Sequence, residues 1–200
     1  AGIQPIMGCQ VDLAYVVGQP GEREKDPAPV VLLAQTETGY EHLMKLNSCL
    51  YLDKGSALPA VKLEELEALS GDLICLTGGP DGPIGRLLQS AQRPAAEALM
   101  ARLQAAFGDR LYVELQRHPG ENGQPEAERL TEQGLVEMAY AMDIPLVATN
   151  DVYFPKSEMY EAHDALICIS EGAYVDQQAD RRRLTAQHYF KSEAEMVTLF

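Results

Sequence analysis

Short apolar runs alternate with amphipathic stretches along almost the whole chain. No other feature restricts the fold as strongly. Residues 30–34 (VVLLA), 72–77 (DLICLT), 110–116 (RLYVELQ) and 144–148 (IPLVA) have the length and apolarity of buried strands. Residues 3–17 (IQPIMGCQVDLAYVV) read as a further strand, with a bend expected at Gly8. Between them, Tyr40, Leu43, Leu46, Cys49 and Leu50 recur at helical spacing, and KLEELEAL predicts a short helix. An Ala-rich helix is expected over 94–107, stopped by Gly108, and another over 125–142 with Pro125 near its start. GGPDGPIG reads as a turn-rich loop, and a last full helix is expected from about Ser157 to Ile169. Helices between strands argue for an α/β fold: a parallel sheet covered by helices, open or closed into a barrel. About five strands are legible, fewer than a closed barrel needs.

A chain of 200 residues is one ordinary domain with room for a sizeable core. No run approaches the ~20 apolar residues of a membrane span, and no basic-then-apolar signal pattern opens the sequence. Cys9, Cys49, Cys75 and Cys168 lie far apart and form no C-x-x-C pair. They read as reduced, mostly buried thiols of a cytoplasmic protein. The net charge of −14 weighs against a nucleic-acid grip by this chain alone. Arg181, Arg182 and Arg183 form one basic cluster, with Asp176 and Asp180 nearby, and read as a solvated loop. Ser192 and Glu195 form a capping box before Met196, Val197, Leu199 and Phe200, which predicts a helix at the chain's end. Both ends of the sequence look cut, and an internal piece of a longer polypeptide is expected.

The common catalytic motifs are missing. There is no G-x-S-x-G, G-x-G-x-x-G, Walker loop, H-x-H, H-E-x-x-H or D-x-H. TGGPDG lacks the Lys and Ser/Thr of a phosphate loop and reads as a plain turn. Chemistry in α/β folds gathers at strand ends, which puts forward 10–12, 77–81, 116–122 and 149–153. Asp151, with Thr149 and Asn150, is the best single candidate for a cation ligand. The plainer reading is that it caps the next turn. His118 suits a metal ligand, a general base or a backbone-bonded rim residue. His163, beside Asp164, reads as structural, and His42 and His188 as surface or helix-capping residues.

IPLVATNDVYF followed by EAHDALICISEG resembles the PHP (polymerase and histidinol phosphatase) domain family, in the form carried by the alpha subunit of bacterial C-family (DNA polymerase III type) replicative polymerases. GIQPIMGCQVDLA, LLAQTETGYEHLMKLNS, GDLICLTGG, YVELQRHPGENG and HYFKSEAEMVTLF resemble successive landmarks of the same domain. The resemblance implies a TIM-like (β/α)7 barrel, here residues 1–200 as one partial domain lacking its first strands. Active members hold a trinuclear metal cluster and hydrolyse phosphoesters, and some polymerase versions are proofreading nucleases. Position by position, the resemblance puts the family's ligands at Gln10, near Pro29 or Val30, at Gly79, and at Asp151 and Tyr153. Of these only Asp151 is a ligand type, which implies a degenerate site. His118, Asn150 and His163 remain rim candidates. Cofactors are then not expected in this segment: Mg2+ would serve the parent polymerase, and Zn2+ or Mn2+ would enter only if the site were active. The implied partners are the rest of the alpha subunit, the proofreading exonuclease (epsilon) subunit, and DNA through other domains. The implied role is that of a scaffold and docking module. Two rival readings are an active phosphoesterase or 3′–5′ exonuclease using Asp151 and His118, and a structural module without a partner.

Overall fold

A computed structural model describes residues 2–15, 26–52, 59–120, 123–177 and 181–200. Val16 and Val17, most of the Pro/Gly/charge loop after them, Asn122 and Asp180 lie outside the described residues. The chain divides into two compact units, Ala1–Leu115 with Leu130–Val147 and Gln116–Arg129 with Ala148–Phe200.

The fold is α/β. Its strands are β1 (Gly8–Ala14), β2 (Ala28–Ala34), β3 (Val61–Lys62), β4 (Leu73–Leu76), β5 (Leu111–Gln116) and β6 (Leu146–Thr149), in sheet order β3-β1-β2-β4-β5-β6. The helices are α1 (Glu37–Leu52), α2 (Leu63–Ala68), α3 (Pro83–Gln89), α4 (Arg93–Phe107), α5 (Glu126–Ala141), α6 (Tyr160–Glu171) and α7 (Glu193–Leu199).

The sheet is mixed rather than parallel. β2 runs antiparallel to both β1 and β4, while β1–β3 and β4–β5 are parallel. A parallel neighbour needs a crossover, usually a helix, and none is predicted between β1 and β2, so reversal is the simpler connection. β1 begins at Gly8, later than the run 3–17 suggests, and leaves Ile3 and Ile6 exposed.

The helix α3 begins inside the stretch read as a loop. Pro83 opens it at a position where a missing N–H costs nothing. Gly85 lies within it because a Cβ there would meet the carbonyl oxygens of Gly79 and Pro80, each at 2.4 Å. The glycine that signals a turn in sequence is here a point of close backbone packing.

Unit 1 has a continuous apolar core. Val11 and Leu13 of β1, Val30 and Leu32 of β2, and Leu111 and Val113 of β5 face it on alternate positions. Leu99, Leu103 and Phe107 of α4 follow the i, i+4, i+8 spacing of one helix face and fill it, with Met100 buried beside them. Gly108, at φ 59°, ends α4 as expected.

Candidate functional site

The strand-end positions of unit 1 carry little chemistry. Gln10 is exposed on β1 opposite Val31, and Pro29 sits opposite Asp12. The β2–β4 ladder begins only at Val31, so proline's missing N–H breaks no bond to β4. Beyond β4, Gly78 has φ 80°, and a Cβ on it would lie 2.0 Å from the Pro29 carbonyl oxygen. Only glycine fits there. The Gly78 N–H donates to a carboxylate oxygen of Glu114 (2.9 Å), and the Glu114 N–H donates to Thr77 Oγ1 (3.0 Å). Glu114 is buried, and its carboxylate occupies the amide that a phosphate loop would offer to a ligand. TGGPDG is thus a loop anchored by an internal anion. Sequence reasoning missed Glu114, whose partner lies 36 positions away.

Unit 2 contains the denser constellation. His118 is 1% exposed and Glu128, in the first turn of α5, 5%. The His118 Nδ1–H donates to Glu128 Oε1 at 2.7 Å, and the His118 N–H donates to Oε2 at 2.9 Å. One carboxylate thereby fixes both the ring and the backbone of the same residue. His118 Nε2 accepts from the Asp151 N–H at 3.3 Å, so both ring nitrogens have protein partners. His188 lies flat against it, with ring centroids 3.8 Å apart and planes 4° apart. The His188 Nδ1–H donates to the Asp151 carbonyl at 2.9 Å. Two stacked imidazoles thus hold both sides of Asp151's backbone.

His188 corrects the surface or capping role expected for it. It is buried, and burial first, then the neighbouring His118, pushes its pKa down to about 4. The backbone repeats the connection: the Tyr153 N–H donates to the His188 carbonyl at 2.9 Å, and the Phe190 N–H to the Phe154 carbonyl at 3.0 Å. Asn150 donates to the Tyr189 carbonyl (2.6 Å) and accepts from Lys191 Nζ (3.0 Å). Asn150 therefore ties two segments together.

Tyr153 is partly exposed, and its hydroxyl accepts from Arg182 at 2.9 Å. Burial, followed by the nearby Asp151 carboxylate, raises the phenol's pKa. His163 packs its ring 5.4 Å from both Tyr153 and Phe154. Its Nδ1 is buried without a hydrogen-bond partner among the described residues. Next to it, Asp164 receives a bidentate pair from Arg181 (2.6 and 2.7 Å). The Arg181 side chain is only 4% exposed, so the first member of the basic cluster is a buried ion-pair partner rather than a solvated side chain. Arg182 and Arg183 are exposed as expected. His42, expected as a surface or helix-capping residue, is instead half-buried within α1, its Nδ1–H donating to the Gly71 carbonyl at 2.9 Å.

The relatives decide the family. A sequence model of the PHP domain matches residues 1–118. The chain belongs to the PHP domain family. All of it also aligns with curated DNA polymerase III alpha subunits: 47% identity to that of Caulobacter vibrioides, 37% to that of Rickettsia bellii and 37% to that of Pseudomonas aeruginosa. It spans only 16–17% of the length of these relatives.

PHP-family chemistry implies metal ions, which need several charged oxygen or nitrogen donors at once. Gln10, Pro29 and Gly79 supply no such donor in unit 1. In unit 2, His118 has one ring nitrogen on Glu128 and the other on the Asp151 amide. Among the described residues, no three His, Cys, Asp or Glu side chains are grouped to hold an ion. This donor set does not fit a multinuclear cluster. The four cysteines are free, with Cys75 and Cys168 buried. Among the described residues, no helix is long and apolar enough to cross a membrane.

Proposed function

We propose that this PHP domain is part of a DNA polymerase III alpha subunit, where it serves chromosomal replication as a scaffold with a degenerate metal site. The parent would be the DNA-directed DNA polymerase of the cytoplasm, using Mg2+ at carboxylates outside this chain. Residues 1–200 would form one partial domain of it. Its partners would be the rest of the alpha subunit and the proofreading exonuclease (epsilon) subunit, with DNA bound through other domains. The names of the aligned relatives support the polymerase assignment.

One observation carries the degenerate-site reading. Asp151 alone keeps a ligand type among the positions Gln10, Pro29, Gly79, Asp151 and Tyr153, and its backbone is held by two histidines whose bonds are to protein groups. A phenol at Tyr153, paired with Arg182, is a poor substitute for a neutral imidazole ligand. The acidic surface, net −14, suits protein docking better than a grip on phosphates.

The test is Asp151→Asn in the full-length polymerase. Primer extension and exonuclease binding are expected to match the unsubstituted protein, with no metal-dependent phosphoesterase activity to lose. A Mn2+- or Zn2+-dependent 3′–5′ hydrolysis that disappears in Asp151→Asn would instead establish an active site. Binding of the proofreading exonuclease at background level would remove the docking role.

A further inference from the structure

Arg182 is exposed, yet its backbone is fixed on both sides. Its N–H donates to Glu171 Oε2 at 3.3 Å, and its carbonyl accepts from Arg181 Nη1 at 3.4 Å. Arg181 is itself locked onto the buried Asp164. From that base, Arg182 Nη2 donates to the Tyr153 hydroxyl at 2.9 Å, with the guanidinium carbon 5.5 Å from the centroid of the Tyr153 ring. The neighbouring Arg183 turns elsewhere and donates to the Gln177 carbonyl. Tyr153 also feels a charge of the other sign. Burial and then the Asp151 carboxylate raise its phenol's pKa, while Arg182 acts against them. One phenol is thus exposed to an acid and to a guanidinium, both of this chain, and its backbone N–H is on the His188 carbonyl.

We infer that Arg182 is the resident cation of this degenerate rim, fastening residues 181–183 to the 151–154 loop through the Tyr153 hydroxyl. A metal ion at such a rim neutralises carboxylates and ties together the loops that carry them. Asp151 and Tyr153 are both ligand positions by the family resemblance, and a neutral phenol is a poor replacement there for an imidazole ligand. A phenol can, however, accept a hydrogen bond while keeping its own proton. A guanidinium always carries its charge and presents several donors in a fixed plane. Arg182, 29 positions downstream of Tyr153, meets that requirement. The residue that cannot ligate an ion is therefore the one that accepts from an internal cation. The inference rests on the degenerate-site reading and adds which group takes over the ion's tying role.

The experiment is hydrogen–deuterium exchange on the full-length polymerase, read over peptides covering 150–154 and 187–190. The variants are Arg182→Ala, Arg182→Lys, Arg182→Gln, Tyr153→Phe and the double variant of Arg182→Ala with Tyr153→Phe. Arg182→Ala is expected to speed exchange in both peptides about three- to tenfold, the effect of one lost hydrogen bond, with β1 and β2 unchanged. Arg182→Lys keeps the charge and should recover most of the protection. Arg182→Gln keeps a donor without the charge and should not. The double variant should exchange no faster than Arg182→Ala alone, because the two side chains act as one pair. Equal recovery by Lys and Gln overturns the role as a cation, and effects that multiply in the double variant overturn the pairing. Mn2+ uptake by the unsubstituted polymerase, measured by equilibrium dialysis, separates the two levels of the reading. Bound Mn2+ that is lost in Asp151→Asn would remove the degenerate site and this inference with it. No such Mn2+, together with unchanged exchange in Arg182→Ala, would remove this inference alone.

Discussion

The two units solve the problem of holding a chain together in opposite ways. Unit 1 is filled by volume: Leu13, Leu32, Leu46, Leu66, Leu99, Leu103 and Phe107 are fully buried among other apolar groups. Unit 2, among its described residues, buries three apolar side chains, Phe154, Ile167 and Cys168, against four polar ones, His118, Glu128, Asp164 and His188. Apolar packing is non-directional and tolerates repacking. In a buried polar network the matched donors and acceptors are directional, which fixes one arrangement of the loops and makes each matched member costly to lose. The loops at 150–154 and 185–190 are tied together by such bonds, from the Tyr153 N–H to the His188 carbonyl and from the Phe190 N–H to the Phe154 carbonyl.

The largest effect is expected from breaking the apolar side. Phe107→Ala should cost about 3–5 kcal/mol, because it leaves a cavity at the centre of unit 1; denaturant unfolding of the complete domain measures it. Next comes the polar side. Glu128→Ala strips His118 of the acceptor for both its ring and its backbone N–H, at about 1–3 kcal/mol. Its signature should be local: faster amide exchange at His118 and Asp151, with β1 and β2 unchanged. A loss spread evenly over both units would erase the contrast.

Acid should loosen unit 2 through His188. Its folded pKa, about 4, lies below the ordinary histidine value of 6.5. The unfolded or opened state then binds the extra proton, so the contribution is fully present above about pH 6.5 and is lost as pH falls toward 4. Discounted for solvent screening, it amounts to about 1–2 kcal/mol. His188→Asn keeps a donor toward the Asp151 carbonyl without a titrating ring. The slope of stability between pH 6.5 and 4 should be smaller in this variant than in the unsubstituted domain. Equal slopes would assign the acid sensitivity elsewhere. The smallest effect belongs to the cap of α7. The Glu195 N–H donates to the Ser192 hydroxyl, while Glu195 accepts from the Ser192 N–H at 2.7 Å. Ser192→Ala should cost about 1 kcal/mol or less, confined to that helix and visible as fraying of 193–199 in amide exchange.

This division also explains what the sequence disclosed. Unit 1 was legible because apolar periodicity is local: the runs at 30–34, 72–77 and 110–116 are strands, and Gly108 ends α4. Its errors came where local signals have two meanings, as with Gly82, Pro83 and Gly85, which mark a helix start as readily as a turn. The capping box at Ser192 was equally local and equally legible. Unit 2 was poorly legible because its logic is pairwise across long separations. His118 meets His188 seventy positions later, and Arg181 meets Asp164 across 17 positions that include the end of a helix. No pattern within a window of ten or twenty residues carries that information. Asp151 was found for its carboxylate, yet the structure uses its backbone N–H and carbonyl as the anchor.

The most direct test of the central claim, that these loops are ordered by histidines and carboxylates rather than by metal, is the metal content of the complete PHP domain. The protein would be purified without chelator and dialysed against manganese, zinc and magnesium in turn. The account predicts fewer than about one tightly held ion per chain, and a Tm unmoved by a chelator. About two or three ions per chain, with a Tm that drops when they are removed, would contradict it and identify a working metal centre.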